Sequence, residues 1–364
     1  MAKEGKRIAI ILCNLGGPDG QNAVEPFLYN LFSDPAILRV PRLIRKPLAR
    51  YLARKRAPLA REIYAKLGGG SPLLQHTQAQ ARALETALAE YGAPKVFVVM
   101  RYWRPMSAEV VRELEDYRPD RIIFLPLYPQ FSTTTTASSL QDFWRAVQAA
   151  DGDLHQRRDD TLKVSTICCY PTDSGFIRAM TLGVRALYPE AMKYGQPRLL
   201  FSAHGLPEKI VRGGDPYQWQ CEQTAQALVR DLGIAKLDWV NCYQSRVGPL
   251  RWIGPATDDE IHRAGKDGVP VIVVPIAFVS EHAETLVELD IDYRQLAAQC
   301  GVPFYGRAAT VSTAPEFITG LARLVRQALT REVGVGCGQG GRICPAEFGG
   351  CACPMGQNVE KSAY

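Results

Sequence analysis

Apolar, β-branched runs recur along the chain, each closed by glycine, proline or a polar turn: "RIAIILCNLG", "KVFVVMRY", "RIIFLPLYP", "LKVSTICCY", "RLLFSAH", "WVNCYQS" and "VPVIVVPIAFVS". Nearly continuous apolarity marks strands covered on both faces, the condition of a parallel sheet. Between the runs lie helix-patterned segments such as "TQAQARALETALAEYG", "SAEVVRELEDY" and "CEQTAQALVRDLG", the last ended by a glycine suited to a helix C-cap. Strand and helix alternate, so the expected class is α/β with parallel sheets flanked by helices. In such sheets ligands bind at the carboxyl ends of strands. The stretches to search for chemistry are therefore 14–18, 101–105, 128–139, 204–207, 244–255 and 280–284.

A length of 364 residues suits two lobes of about 150 residues each. The polar connection "AADGDLHQRRDD" separates a first lobe, 1–162, from a second, 163–313. From residue 334 the chain turns Gly- and Cys-rich without periodicity, so 334–364 reads as an irregular appendage. With 46% apolar and 22% charged residues, and no run of about 18 apolar residues, a membrane span is not expected. The start, "MAKEGKRIAIILCNLGG", has no small-residue cleavage site after its apolar run, and a cytoplasmic location is the expectation. No strand is followed by a Walker or dinucleotide glycine loop; "LGGGSP" at 67–72 follows a helix and reads as a turn.

The net charge of +6 is unevenly placed. Between Arg39 and Lys66 stand ten Lys or Arg residues against one acid, Glu62, interleaved with Leu43, Ile44, Leu48, Tyr51, Leu52 and Leu59. Pro41, Pro47 and Pro58 are expected to break this stretch into short pieces. It reads either as a solvated face or as an amphipathic segment resting on an anionic membrane surface. Nucleic acid is disfavoured because stacking aromatics are scarce there.

His204 stands at a strand's carboxyl end, with Gly205 keeping the next position open. A second cluster is "SEHAETLVELD", 280–290. Ser280 is a candidate N-cap, and Glu281, Glu284 and Glu288 fall at helical spacings of three and four, with His282 beside them. Part of this is what a helix N-terminus favours anyway. The histidine adds the chemistry of divalent-metal binding or proton transfer. The spacing is not HExxH, which argues against a zinc protease.

Six segments, "NLGGPDG", "GGSPLLQHT", "LYPQFSTTTTASSL", "SAHGLPEK", "YQSRVGPLRWIGP" and "PIAFVSEHAETLVELDIDY", together resemble the ferrochelatase family, in order and at its intervals, up to about residue 330. The resemblance implies an enzyme that inserts Fe2+ into protoporphyrin IX to give protoheme. It implies two Rossmann-like lobes with four-stranded parallel sheets, a porphyrin cleft between them, and a last helix, about 314–333, returning to the first lobe. It places the catalytic and metal-site histidine on His204 and its partner carboxylate on Glu284, with His282 close by. Leu15, Arg101, Tyr102, Tyr128, Gln130, Ser132 and Phe278 would line the porphyrin pocket. Glu281 and Glu288 would extend an acidic relay for protons or hydrated Fe2+. The basic stretch 39–66 corresponds to a lip that in several members touches the membrane, which implies a peripheral position on the inner face of the cytoplasmic membrane. A porphyrinogen-oxidising enzyme would act upstream.

Ten cysteines without a secretion signal suggest a metal rather than disulfides. Cys337, Cys344, Cys351 and Cys353 form C-x6-C-x6-C-x-C, a thiolate set suited to iron–sulfur or zinc, although paired zinc spacing is missing. Certain bacterial ferrochelatases use a C-x6-C-x-C arrangement like 344–351–353 for a [2Fe–2S] cluster. The fourth ligand would come from Cys168 or Cys169, with Cys337 as the alternative. Animal members take theirs from the Y-P-Q loop, where this chain has Thr133. Coproporphyrin III as substrate, and a tetrapyrrole or metal carrier without catalysis, stay open at this stage. So does the choice between monomer and homodimer.

Overall fold

The computed structural model describes residues 6–92, 94–158, 161–246, 248–331 and 333–354. The far end of the tail, 355–364, lies outside the described residues. In chain order the strands are β1 (Ile8–Asn14), β2 (Lys95–Met100), β3 (Arg121–Pro126), β4 (Lys163–Ile167) and β5 (Arg198–His204). They continue with β6 (Asp238–Gln244), β7 (Val271–Pro275), β8 (Tyr305–Arg307) and β9 (Gly334–Gly336). All pair in parallel, in two sheets of order β2-β1-β3-β4-β9 and β6-β5-β7-β8. The apolar runs therefore do become parallel strands, as their unbroken hydrophobicity required.

The chain divides into two units, residues 1–170 with 321–343 and 352–364, and residues 171–320 with 344–351. In the first unit, β1 is buried along its whole length, and Ile10, Ile11 and Leu12 have no exposure. Each such side chain contributes roughly 1.5–3 kcal/mol relative to an exposed one. The helices of this unit are α1 (Val24–Ser33), α2 (Arg42–Ala65), α3 (Leu73–Ala87), α4 (Ser107–Tyr117), α5 (Thr136–Ala150) and α6 (Asp153–Arg158). Phe143, Trp144 and Val147 of α5, with Val110, Val111 and Leu114 of α4, pack on one face of the sheet around Phe124.

Four expectations change here. The first sheet has five strands, not four, because the glycine-rich start of the tail forms β9 and pairs with β4. Ladder bonds are made by backbone, so a segment with no side-chain periodicity can still supply an edge strand. The second unit begins at Pro171 rather than Lys163, because β4 pairs with β3 in the first sheet. The basic stretch is one long helix, α2, with Pro47 and Pro58 inside it. Ala49, Ala53 and Ala57, at most 1% exposed, form a small-residue stripe on α2, and the last two pack with Val24, Phe27 and Leu28 of α1. That packing outweighs the cost of the prolines, about 3 kcal/mol each in a helix interior. The last helix, α12 below, spans 315–330 rather than 314–333.

The second unit carries α7 (Ser174–Ala191), α8 (Glu208–Arg212), α9 (Tyr217–Leu232), α10 (Thr257–Asp267), a π-helix (Glu284–Asp292) and α11 (Tyr293–Gln299). Asp173 caps α7 by accepting from the Gly175 and Phe176 amides at 2.9 and 3.1 Å. The core gathers Leu200, Cys242, Ile261, Ala264, Val271, Val273 and Leu289. The remaining helix, α12 (Pro315–Thr330), passes from the second unit to the first at Leu321. Its carboxyl end is closed by Arg121, whose guanidinium donates to the carbonyls of Ala328, Leu329 (2.8 Å) and Arg331 (3.2 Å).

Candidate functional site

β5 runs buried from Arg198 to Ala203 and delivers His204, partly exposed, at its carboxyl end. His204 Nδ1 lies 2.7 Å from the Gly205 carbonyl oxygen. A carbonyl only accepts, so Nδ1 carries a proton there, and in the neutral ring the lone pair falls on Nε2. The glycine is required by the neighbouring strand end: a Cβ at Gly205 would stand 2.9 Å from the Gln244 carbonyl oxygen, which already accepts the Gly205 amide at 2.8 Å. Tyr217 donates its hydroxyl to the His204 carbonyl at 3.1 Å, fixing the backbone from the other side.

The 280–292 segment differs from the α-helix its spacing suggested. Glu281 and His282 precede the helix, the cap position is Ala283 without a side-chain bond, and Glu284–Asp292 winds as a π-helix. Single π turns recur at functional sites. Arg307 on β8 supplies the physical reason why the three carboxylates do not form one row. It pairs with Glu281 at 2.8 Å and takes Asp290 in two bonds of 2.7 and 2.6 Å. Glu281 also accepts the Thr310 amide at 2.9 Å, so it is placed with Arg307 rather than with Glu284 and Glu288.

His282 is 7% exposed, and its Nε2 stands 3.5 Å from Glu284 Oε2. The Thr285 hydroxyl donates to the His282 carbonyl (3.1 Å), and its oxygen accepts from the His282 amide (3.0 Å) and Nδ1 (3.3 Å). With Nδ1 protonated toward Thr285, Nε2 and the carboxylate face each other across a gap that one proton would join. Glu288 is held separately: it accepts from the Ser245 amide (2.8 Å) and hydroxyl, Gln244 Nε2 (3.2 Å) and the Tyr293 hydroxyl (3.1 Å). Phe278 lays its ring edge-on to His282, with centroids 4.4 Å apart.

Burial pushes His282 below the ordinary imidazole value, against the pull of Glu284 and then Glu281. Burial pushes Glu284 up, but the imidazoles of His282 and then His204 outweigh it, leaving its carboxyl below the usual range. For His282 the folded chain then binds fewer protons than the unfolded chain. Its contribution to stability is full above the ordinary value of 6.5 and is lost as pH falls below it. The melting temperature should decline from about pH 6.5 downward, and His282→Asn should remove that part of the slope. A variant profile parallel to wild type would refute this assignment.

In the first unit, Arg101 and Tyr102 follow β2 and converge on Asp34, which is 4% exposed. Asp34 Oδ2 accepts from Arg101 Nη2 (2.8 Å), the Tyr102 hydroxyl (2.7 Å) and the Ser138 hydroxyl, while Oδ1 accepts the Ala36 amide (2.8 Å). Burial pushes Asp34 up, and the Arg101 charge together with the bonds from Ser138, Ala36 and Tyr102 outweighs it, so the carboxyl stays below its ordinary range. Arg101 continues to Asp142 at 3.3 Å, and Ser107 donates to the same carboxylate at 2.7 Å. Tyr102, Gln130 and Ser132 are buried at 0, 2 and 1%, whereas Leu15 and Tyr128 are partly exposed.

A family profile described as Ferrochelatase matches residues 7–329. The ferrochelatase of Caulobacter vibrioides (strain NA1000 / CB15N) is 49% identical over 358 residues, 97% of this chain and 99% of that protein. The ferrochelatase of Pelagibacter ubique (strain HTCC1062) is 45% identical, covering 95% of this chain and 98% of its own length. This chain belongs to the ferrochelatase family. Among solved structures, SirB from Bacillus subtilis with Fe3+ matches at a TM-score of 0.51 and 12% identity, covering 89% of this chain and 96% of its own. That likeness shows the chelatase-like α/β fold alone. As a ferrochelatase the chain is a lyase of heme biosynthesis, with a porphyrin and iron as substrates.

Sequence reasoning missed Asp34, Tyr293 and Arg307, and it pointed to the stretches that hold Ser138, Gln244 and Ser245 without singling out those residues. Each acts by holding another side chain, so none carries a local signature. The tail cysteines divide between the units: Cys337 and Cys353 fall in the first with Cys168 and Cys169, Cys344 and Cys351 in the second. Cys337, Cys344 and Cys353 are buried, and Cys351 is partly exposed. Cys168 and Cys169 stand 3.7 Å apart at sulfur, Cys344 accepts from Gln220 at 3.0 Å, and Cys337 donates to the Gly341 carbonyl. In donor type this set fits a thiolate-bound cluster. Yet among the described residues no three His, Cys, Asp or Glu side chains are gathered as metal ligands.

Proposed function

We propose that this chain inserts Fe2+ into protoporphyrin IX, with His204 Nε2 as the acceptor of the pyrrole protons. The observation that carries the reading is the contact of Nδ1 with the Gly205 carbonyl, which in the neutral ring leaves the lone pair on Nε2 at a strand's carboxyl end. A free porphyrin must lose two N–H protons as the metal enters, and imidazole exchanges protons near neutral pH. Glu284, kept ionised, attracts the divalent cation, and the pair it forms with His282 has room for one proton. Imidazole nitrogen and carboxylate oxygen are both donors that Fe2+ accepts. Phe278 offers an apolar surface for the macrocycle next to His282.

The reading is tested with purified protein, Fe2+ and porphyrin under anaerobic conditions, followed by absorbance. Faster metal insertion with protoporphyrin IX than with coproporphyrin III supports it. The reverse order moves the substrate to coproporphyrin III, and binding of both without insertion makes the chain a carrier.

The same proposal extends to an anionic membrane surface, on the inner face of the cytoplasmic membrane. No described helix is long and apolar enough to cross a membrane. The outward side of α2, however, exposes Leu43 (90%), Leu59 (64%), Tyr51 (60%) and Ile44 (57%) among its basic residues. Each basic group near an anionic surface contributes roughly 1 kcal/mol. Vesicles rich in phosphatidylserine should retain the protein at low salt and release it at high salt, with Leu43→Ser weakening retention. Equal partition onto neutral vesicles, or none onto anionic ones, refutes this. There the enzyme would receive porphyrin from a porphyrinogen-oxidising enzyme.

The tail completes the proposal: Cys344, Cys351 and Cys353, with Cys168 or Cys169 and with Cys337 as the alternative, would hold a [2Fe–2S] cluster. Four cysteines concentrated in a short Gly-rich segment support it. Such a cluster supplies redox chemistry that insertion of Fe2+ does not use, so it has no step in the reaction above.

A further inference from the structure

The second unit carries another pair of groups with nucleophilic chemistry, on the outer helices. Cys300, the residue that caps the carboxyl end of α11, places its sulfur 3.0 Å from His262 Nδ1 on α10. His262 is exposed and Cys300 partly so. The contact depends on how closely the two helices approach. A Cβ at Gly265 would stand 2.3 Å from the Cys300 carbonyl oxygen and 2.8 Å from its Cβ. Gly265 follows His262 by three residues, so both lie on the α10 face that meets Cys300. Eight of the ten cysteines are buried, leaving Cys300 and Cys351 as the partly exposed thiols.

We propose that Cys300 is a site of covalent modification, its thiol activated by His262 toward soft electrophiles and hydroperoxides. The nucleophile in such reactions is the thiolate, and an adjacent imidazole generates it by taking the proton as sulfur attacks. With an alkyl iodide, a sulfur–carbon bond forms, iodide leaves and His262 holds the proton. With hydrogen peroxide, the sulfur–oxygen bond forms as the oxygen–oxygen bond breaks. Sulfur loses two electrons to give the sulfenic acid, and the departing oxygen leaves as water with the proton carried by His262. The carboxyl end of a helix disfavours a thiolate, so α11 by itself works against this reactivity. The imidazole has to supply it, and that makes His262 the residue to change.

The experiment is independent of chelatase activity. Full-length protein is treated with limiting iodoacetamide at pH 7, and in parallel with hydrogen peroxide and a sulfenic-acid trap. Each cysteine is then followed over time by peptide mass spectrometry. Cys300 should react first, and His262→Gln should slow it roughly 10-fold, within the ~30-fold that full ionisation of an ordinary thiol offers at pH 7. The difference should close near pH 10, where thiols are ionised without help. Equal rates in wild type and variant at pH 7, or first modification at another cysteine, would overturn the proposal.

Discussion

Replacing His204 with alanine should lower the rate of iron insertion by about 10²–10⁴-fold, the usual contribution of a positioned base. It should leave melting behaviour close to wild type. The ring is partly exposed and bonds to the carbonyl of the next residue, so its removal strands no buried side chain. The strand end itself is held by backbone bonds and by Tyr217, which the substitution does not touch. Porphyrin binding, measured by fluorescence quenching without metal, should survive. This combination separates proton transfer from binding: a variant that binds porphyrin and folds but does not insert iron has lost the base. A loss of less than about 3-fold would mean that another group accepts the pyrrole protons. The His282–Glu284 pair would then be the first place to look.

The path from sequence to this site was uneven, and the unevenness has physical causes. The place of His204 at a strand end was legible because it breaks a pattern: a buried strand, then a histidine, then a glycine. The structure supplies what sequence could not, the approach of the Gln244 carbonyl that explains the glycine. The parallel strands were legible from apolarity. The edge strand Gly334–Gly336 was not, because its pairing uses backbone alone. Prolines within 39–66 suggest interruptions because local propensity does not include the alanines, Ala53 and Ala57, that pack against α1. The spacing of Glu281, Glu284 and Glu288 suggested one face of an α-helix. That inference failed at Glu281, where an arginine distant in sequence captures the carboxylate. Likewise the Arg101–Tyr102 pair was visible as a motif, but Asp34, the group that organises it, carries no signature. Long-range ion pairs are set by the fold, and periodicity has no way to encode them.

Arg307→Met should have the largest effect on stability among single changes around the site. The guanidinium is 9% exposed at its side chain and is shared by Glu281 and Asp290, which flank His282, Glu284 and Glu288 in the chain. Burial pushes its pKa down, and the bonds to Asp290 and the charge of Glu281 outweigh this, so it stays charged. Removing one partner of such a group costs about 3–5 kcal/mol. The low end applies because Asp290 is 27% exposed and regains hydration. For a unit of 150–250 residues, ~3 kcal/mol corresponds to a fall of roughly 6–12 °C in melting temperature. Insertion should fall as well, measured well below the melting point, because Glu281 and the far end of the π-helix are no longer tied to β8. Arg307→Lys should restore part of the stability but less of the rate, since an ammonium cannot grip Asp290 through two parallel bonds. The sign with pH follows from Glu281. Burial raises its pKa, and Arg307, with the bonds from Thr285 and Thr310, more than reverses this, so its contribution is present above the ordinary 4.5 and is lost as pH falls below. The gap in melting temperature between wild type and Arg307→Met should therefore narrow below about pH 4.5. A gap that stays constant through that range would show that the methionine variant loses packing rather than an ion pair. A lysine variant with wild-type turnover would remove Arg307 from the set of positioning residues.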